Sequence, residues 1–190
     1  YKMVVTFKGE KLYMKSSNSA KVNIKTTVVL PKYSNFTYKS KYSVKFKDKK
    51  LNPLKNTYVT VVFGGKSYKL KTDSNGIVKI TNYLKPGSYT VKVKNPKTSE
   101  VKTHKIKVLA RIDKNKNITM YYGAGKYYKV RVLDNYGRIA KKVSVKFTLN
   151  GKTYIKKTNS KGIASLKISL NPKTYTVSAT YKGFTVKNKI

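Results

Sequence analysis

The sequence contains no cysteine, no tryptophan, a single histidine and only six acidic residues in 190 positions. Without cysteine there are no disulfides and no thiolate metal sites. One histidine and six carboxylates also leave few ways to build a metal centre or a catalytic triad, so neither a cofactor nor enzymatic activity is predicted. No apolar run approaches the roughly 18 residues of a membrane span, so no span is predicted in this chain.

Lysine and tyrosine are abundant instead. The 44 basic residues give a formal charge of +38, and there are 17 tyrosines. Alternation along strands explains part of the lysine content, because segments such as Val91 to Lys94 and Tyr128 to Arg131 place every second residue in solvent. It does not explain why acidic residues are so scarce beside them. We therefore expect an anionic setting: a cell-wall polymer, an acidic glycan, lipid head groups or nucleic acid.

The chain repeats itself. Tyr42 to Lys94 aligns with Tyr128 to Thr180 without a gap at an offset of 86 residues, and roughly a third of the pairs are identical. The opening Tyr1 to Gly9 also matches Tyr175 to Gly183. Such self-similarity predicts tandem copies of one module, with the opening segment corresponding to a late strand of that module.

Each copy contains a tight turn at the same place. Asn75 and Gly76 form it in the first copy, and Lys161 and Gly162 form it in the second. Glycine supplies the positive φ that a tight β-turn requires. Asp73 is replaced by Asn159 in the second copy, so a turn is favoured over half of a calcium loop.

A second shared pattern is Leu-x-Pro-x-x-Tyr, which ends one predicted strand and opens the next. It resembles the tyrosine corner of immunoglobulin-like sandwiches, in which the hydroxyl bonds to upstream backbone. The residues of this predicted corner are Leu84, Pro86, Tyr89, Leu170, Pro172 and Tyr175.

Short alternating strands separated by turn signals predict an all-β chain of tandem immunoglobulin-like β-sandwich modules, about seven strands each. Residues 34–112 and 113–190 are predicted to form one module each. Residues 1–33 are predicted to be the C-terminal strand pair of a preceding module plus a linker.

Three finer expectations follow from the repeat. The last strand of the opening pair is predicted at Ala20 to Thr27, and the first strand of the second module at 118–122. One face of the opening strand is predicted to lie against a core; its side chains are Tyr1, Met3, Val5 and Phe7.

Other motifs favour structural roles. Ser99 to Lys102 fits the S-x-x-K pattern of serine acylases, but it lies between two predicted strands, whereas that chemistry needs a helix. His104 has no acidic companion and is predicted on a strand face. The sequons at Asn35 and Asn117 are candidate glycosylation sites if the chain is exported.

Several stretches together suggest a family. Val130 to Arg138, Val145 to Gly151, Thr158 to Leu166 and Tyr175 to Gly183 resemble the Ig-like repeats of adhesin-like surface proteins of methanogenic archaea. They are similar, more distantly, to the bacterial Ig-like repeats of invasin and intimin. This resemblance implies an extracellular, cell-surface setting and a role as stalk or binding surface, with no catalytic residues.

The leading functional expectation is therefore a non-enzymatic, adhesin-like surface protein whose lysine-rich faces bind an anionic wall polymer or glycan. One alternative is a subunit of an extracellular filament, in which residues 1–27 pair with other copies of the chain. A lesser alternative is a polyanion- or nucleic-acid-binding protein. Nucleic-acid binding is expected only as non-specific electrostatics. The sequence has only three arginines to read base edges, and no recognition helix is predicted.

Overall fold

A computed structural model describes residues 1–9 and 16–190. Within these residues the chain forms seventeen strands in five sheets and no helix. The all-β prediction is thus confirmed. The strands group into an N-terminal hairpin and two β-sandwich units, each with its own hydrophobic cluster.

The strand bounds follow the predicted alternation closely. The hairpin consists of β1 (Lys2–Phe7) and β2 (Ser16–Lys21). The first unit contains β3 (Val28–Val29), β4 (Asn35–Thr37), β5 (Lys41–Phe46), β6 (Tyr58–Phe63), β7 (Lys66–Lys71), β8 (Ile77–Thr81), β9 (Gly87–Lys94) and β10 (Val101–Leu109). The second unit contains β11 (Ile112–Asp113), β12 (Tyr127–Val132), β13 (Ser144–Leu149), β14 (Lys152–Lys157), β15 (Ile163–Lys167), β16 (Thr176–Tyr181) and β17 (Phe184–Lys189).

Two sheets close around the core of each unit. In the first unit a five-stranded sheet of order β4-β10-β9-β6-β7 faces a three-stranded sheet of order β3-β5-β8. In the second unit the corresponding sheets are β14-β13-β16-β17 and β11-β12-β15. Strand β4 runs parallel to β10, and the other pairs are antiparallel.

Alternation along each strand builds the two cores. In β5, Tyr42, Val44 and Phe46 point inward and are almost fully buried, and every second residue between them is a serine or lysine facing outward. At the offset of 86, Val130 and Val132 occupy the same inward positions in β12. Burying one such side chain contributes about 1.5–3 kcal/mol, so each sandwich is stabilised mainly by this stripe.

In the described residues the opening strand lies against no core. Its four predicted inward side chains are between 44% and 86% exposed, and all of β1 is exposed. In the described residues β1 pairs only with β2, and no second sheet covers either face of the pair. The observed second strand, Ser16–Lys21, also lies earlier than the predicted 20–27. Residues 10–15 of this predicted segment lie outside the described residues.

Two further strand expectations differ from the structure. Residues 118–122 form no strand, because only Ile118 donates a ladder hydrogen bond, to the carbonyl of Lys189, before the chain turns at Tyr121. The first strand of the second unit is the short β11 instead. Its counterpart β3 pairs with β5 through Val28, which is fully buried although it lies upstream of the predicted module start at residue 34.

A buried arginine joins the two units. Arg111 is fully buried; its Nε donates to the carbonyl of Tyr38 at 2.7 Å, and its Nη2 donates to Asn135 Oδ1 at 3.2 Å. The guanidinium carbon lies 5.8 Å from the centre of the Tyr181 ring. Tyr38 belongs to the first unit and the other two residues to the second. The Arg111 guanidinium, which lies in the segment between the units, therefore contacts both of them.

Backbone and aromatic contacts extend this junction. The Thr37 amide donates to the carbonyl of Asn135 at 3.1 Å, and the Thr37 hydroxyl donates to the carbonyl of Asp134 at 2.8 Å. Tyr33 stacks on Tyr136 with ring centres 4.3 Å apart. Contacts that include buried backbone hydrogen bonds and ring packing restrict the angle between the units far more than a polar linker would.

Candidate functional site

The predicted turn residues lie at matching β-turns. Asp73 Oδ1 accepts hydrogen bonds from the Asn75 and Ile77 amides, both at 2.9 Å. The hydrogen bond from Ile77 is the main reason that the pKa of Asp73 is lowered. Gly76 has a φ of 73°, and a Cβ there would lie 2.5 Å from the carbonyl oxygen of Phe46. Glycine is therefore required both for conformation and for space.

In the second copy of the turn, the side-chain amide oxygen of Asn159 replaces the carboxylate of Asp73 as the acceptor. Asn159 Oδ1 accepts from the amides of Lys161 and Ile163 at 2.9 and 3.0 Å, and Gly162 has a φ of 69°. Because a neutral oxygen performs the capping in one copy, the charge of Asp73 is not needed for it. The turn holds strands rather than a ligand.

The six residues of the predicted corner lie at one pole of each unit. Tyr89 Oη donates to the carbonyl of Lys85 at 2.9 Å, and Tyr175 Oη donates to the carbonyl of Asn171 at 3.1 Å. Both rings pack against the core of their unit. The leucines of the motif, Leu84 and Leu170, pack there too, whereas Pro86 and Pro172 are exposed. Each corner thus fixes a loop to its core.

Every carboxylate of the described residues is engaged in holding a loop or a strand. Asp48 accepts from two amides of its own loop, as Asp73 does. Asp113 binds Arg131 through both oxygens, and Asp134 accepts from two amides and from Arg138. Glu100 is the fifth, and Glu10 lies outside the described residues.

Both carboxylate oxygens of Glu100 accept hydrogen bonds. Its Oε2 accepts from the amide and hydroxyl of Thr27, both at 2.6 Å, and its Oε1 accepts from the hydroxyl of Thr26 at 2.7 Å. Burial alone would raise the pKa of Glu100, but these hydrogen bonds outweigh it and the pKa is lowered. Lys102 lies 3.7 Å away at the rim. The carboxylate ties β3 to the loop before β10.

The outer face of the five-stranded sheet carries lysine on three strands, β7, β9 and β10, without an acidic neighbour. In the register of β9 and β10, Lys92 lies opposite Thr103 and Lys105 lies opposite Thr90. Ammonium and hydroxyl groups therefore alternate across the strands. All of the lysines on this face are exposed: Lys69, Lys71, Lys92, Lys94, Lys105 and Lys107.

The four-stranded sheet of the second unit repeats this chemistry. Lys146 lies opposite Thr180, and Lys187 lies opposite Ser178. The other exposed lysines of this outer face are Lys157 and Lys189. Residues two apart on a strand are about 7 Å apart, and neighbouring strands are about 4.8 Å apart. We call these two surfaces the lysine faces; each presents several cations in rows along and across its strands.

One polar contact in each core links a buried tyrosine to the last strand. Tyr42 Oη lies 2.9 Å from Nδ1 of His104, whose Nε2 lies 3.2 Å from the hydroxyl of Ser34. In the second unit Tyr128 Oη donates to Asn188 Oδ1 at 2.7 Å. Burial raises the pKa of both tyrosines, that of Tyr128 to about 12, and burial lowers the pKa of His104. His104 therefore lies on a strand, as expected, and serves the core.

The two sequons differ in their surroundings. Asn35 is exposed on β4, but Thr37 of its sequon is fully buried in the junction. Asn117 is exposed, and its Oδ1 accepts from Nδ2 of Asn188 and from the amide of Lys189. Glycosylation of either asparagine stays a prediction. Recognition of the Asn35 sequon would have to precede folding, because its threonine hydroxyl is used in the folded chain.

A groove that the sequence did not predict opens at the pole of the second unit away from the junction. Its volume is about 460 Å³. It is bordered by the segment before β12, by the corner of the second unit and by the end of β17. The one available signal was the pair Tyr121 and Tyr122 before two glycines. Two smaller depressions lie beside β10 and beside the Phe63 turn.

The described residues hold no group of three or more histidine, aspartate or glutamate side chains placed to bind a metal ion. None of their elements is a helix of the length and apolarity that would reach across a bilayer.

Comparisons with known proteins give a distant likeness of folds. No protein-family model and no curated protein matches the chain. Among solved structures, a Ca²⁺-stabilized ice-binding adhesin of an Antarctic bacterium is 13% identical over 99% of this chain, which spans 55% of the adhesin structure, with a TM-score of 0.31.

Two further structures give similar values. A 1.5-MDa bacterial ice-binding adhesin is 14% identical over 99% of this chain and 71% of its own, with a TM-score of 0.34. Domains 4–9 of the surface layer protein SbsC are 15% identical over the whole chain and 34% of their own, with a TM-score of 0.32. Scores this low leave the function to be argued from the residues of this chain.

Proposed function

We propose that this chain is a non-enzymatic spacer of an extracellular, adhesin-like surface protein, and that its lysine faces bind anionic wall polymers or glycans. One observation carries the proposal. All five described carboxylates are engaged in loops or ion pairs, so the lysine faces have no counter-charge within the described chain. Counter-charge must come from outside, either as small ions or as a polymer.

A polymer is the favoured partner on entropic grounds. A polyanion that lies across several lysines releases the small ions condensed on both partners, and this release drives binding without specific contacts. Hydroxyl groups between the lysines, such as Thr90 and Thr103, add hydrogen bonds to sugar or phosphate oxygens. The face supports adhesion along a chain rather than capture of a single small anion.

The junction supports the spacer role. Arg111 and the Thr37 backbone bind the two units directly, so the lysine faces keep a constant relative orientation. A long polyanion that contacts both faces then gains the second contact at high effective concentration. The resemblance of the repeats to those of archaeal adhesin-like proteins points to the same role.

The test compares two variants of equal charge. The face variant is K92Q/K94Q/K105Q/K107Q, and the loop variant is K49Q/K50Q/K55Q/K97Q. Retention on an immobilised uronate polymer is measured in a salt gradient. We expect the face variant to elute well before the loop variant, because the cations of the face lie on one surface. Equal elution would mean that net charge alone acts, and would refute a binding face.

A second candidate function is favoured by the exposed side chains of β1. Met3, Val5 and Phe7 lie on one side of the hairpin without a covering element in the described residues. By the repeat they correspond to Val177, Ala179 and Tyr181, the first two of which are fully buried in the second unit.

Such a face would suit assembly of copies into a filament. Sedimentation of the intact chain across a concentration series tests this candidate. Concentration-dependent assembly that M3S/V5S abolishes supports the filament, and a monomer at all concentrations rejects it.

A further inference from the structure

The groove at the pole of the second unit away from the junction differs from the equivalent pole of the first unit. In the first unit this pole is covered: Tyr38 lies 5.7 Å from Phe184 of the second unit. In the second unit the loop before β12 is four residues longer, because Asn117 precedes Tyr128 by eleven positions and Asn35 precedes Tyr42 by seven. The added residues lie beside a depression of about 460 Å³, a size typical of sites for small ligands.

The longer loop holds two aromatic rings in solvent. Tyr121 is 91% exposed and Tyr122 is 73% exposed. The loop has a defined shape, because the Ala124 amide donates to the carbonyl of Tyr121 and Lys126 Nζ donates to the carbonyl of Thr119. Most other tyrosines of the two units pack at least partly against a core, whereas these two leave apolar surface in water at a hydrophobic cost. A flat apolar ligand surface placed on the rings would recover that cost.

The charged side chains that line the groove are all basic. Lys173 and Lys189 border the groove, and no aspartate or glutamate does. Neutral donors and acceptors complete the rim: the amides of Asn117 and Asn171 and the hydroxyls of Thr119 and Thr174. The ligand that fits has an apolar ring face, several hydroxyls and a negative charge.

From this combination we infer that the groove binds a carboxylate-bearing sugar, with a pyranose face on the tyrosines and its carboxylate toward Lys173. The inference rests on the proposed function, since the sugar would be one unit of the anionic glycan that the lysine faces bind along its length. A nucleotide also offers a flat ring and a negative charge. The sugar is favoured because no arginine lines the groove to read a base edge, while amides and hydroxyls suited to sugar hydroxyls do.

The probes are trisaccharides of galacturonic acid, of glucuronic acid and of sialic acid, each with its neutral methyl ester. Binding is measured by calorimetry at about 150 mM salt, where contacts with the exposed lysine faces are largely screened. The protein is made in a bacterial cytoplasm so that Asn117 is unmodified. The variants are Y121S/Y122S and K173Q. The matched controls are Y127S and K156Q, which change exposed residues of the same unit outside the groove.

We expect at least one acidic trisaccharide to bind with a stoichiometry of one. Y121S/Y122S should weaken it by about tenfold or more, because both rings are lost. K173Q should weaken the acid by about threefold and leave the ester unchanged, since only the acid gains from the ammonium group. The two control variants should bind as the unaltered chain does.

Three results would overturn the inference: no binding of any of the three acids, equal affinity in Y121S/Y122S, or tighter binding of a trinucleotide that both groove variants weaken. Retention of Y121S/Y122S on the uronate polymer separates this failure from failure of the proposed function. If Y121S/Y122S is still retained on the polymer but the trisaccharides do not bind as expected, the groove assignment is wrong and the proposed function stands.

Discussion

The two units solve the same packing problem with different polar partners. Tyr42 and Tyr128 occupy the same place in the repeat and are almost fully buried. His104 meets the hydroxyl in the first unit, and Asn188 meets it in the second. The comparison teaches that the sandwich needs a hydrogen-bond partner at this point but not a particular one. Of the two partners, only the histidine can titrate, so only this contact in the first unit can depend on pH.

The largest expected difference between the units concerns their turns. Gly76→Ala places a Cβ within 2.8 Å of two backbone atoms, the Phe46 oxygen and the Leu54 nitrogen, so we expect a loss of about 4 kcal/mol of unfolding free energy. Gly162→Ala meets the side chain of Ile139 first, which can move, so we expect a loss of about 2 kcal/mol. Denaturant unfolding measures both. Equal losses would show that conformation, rather than space, governs both turns.

Removal of the junction cation should uncouple the units. Arg111→Met leaves the Tyr38 carbonyl and the Asn135 amide oxygen without their donor, and we expect about 3 kcal/mol of coupling to be lost. Calorimetry should then resolve two melting transitions in place of one. Arg138→Met is the control, because that guanidinium is largely exposed and its ion pair with Asp134 should contribute little to stability. Unchanged melting of Arg111→Met would mean that coupling between the units does not depend on this guanidinium.

The two buried tyrosines should respond unequally to loss of their hydroxyls. Tyr42→Phe leaves His104 Nδ1 without a partner, and we expect a cost of about 1–2 kcal/mol. Tyr128→Phe should cost less than about 1 kcal/mol, because Asn188 Oδ1 also accepts from Asn115 Nδ2. Urea unfolding of both variants tests this order, and the reverse order would contradict the assigned partners.

In the pH range where histidine titrates, acid should weaken the first unit by a small amount and leave the second unit, which has no histidine, unchanged. Burial lowers the pKa of His104 below its usual value of 6.5, so the folded unit favours the neutral ring. The free energy of unfolding of the first unit is therefore highest above pH 6.5. It declines as pH falls below 6.5, and it levels off below the lowered pKa of His104.

The groups around the ring are Tyr42, Ser34 and, two residues away on the same strand, Lys102. His104→Asn should remove the pH dependence from the first unit. If the stability of the first unit still depends on pH in this variant, the dependence comes from the carboxylates instead.

Much of the fold was predictable because two-residue periodicity and two turn motifs recur in both copies. Inward positions such as Val44 and Val130 are confirmed by their burial. The exposure of the opening strand in the described residues was not predictable, since a pattern shows which face is apolar but not whether a second sheet covers it. Residues 118–122 carry apolar side chains in either a strand or a loop, so their turn depends on tertiary context.

The sites were less predictable than the strands. Lysine on the outer faces follows from alternation, but the engagement of every described carboxylate depends on loop geometry. Arg111 reads as one more basic residue in a linker, although it is fully buried between the units. The groove depends on which pole is covered by a neighbour, and no local pattern contains that information.

The most direct test is the salt dependence of binding to a uronate polymer. The logarithm of the affinity should fall linearly with the logarithm of salt concentration, and the face variant should have a slope shallower by about 3 than the loop variant, because four cations leave the contact surface. If the two variants have the same slope, the lysine faces are not where the polymer binds.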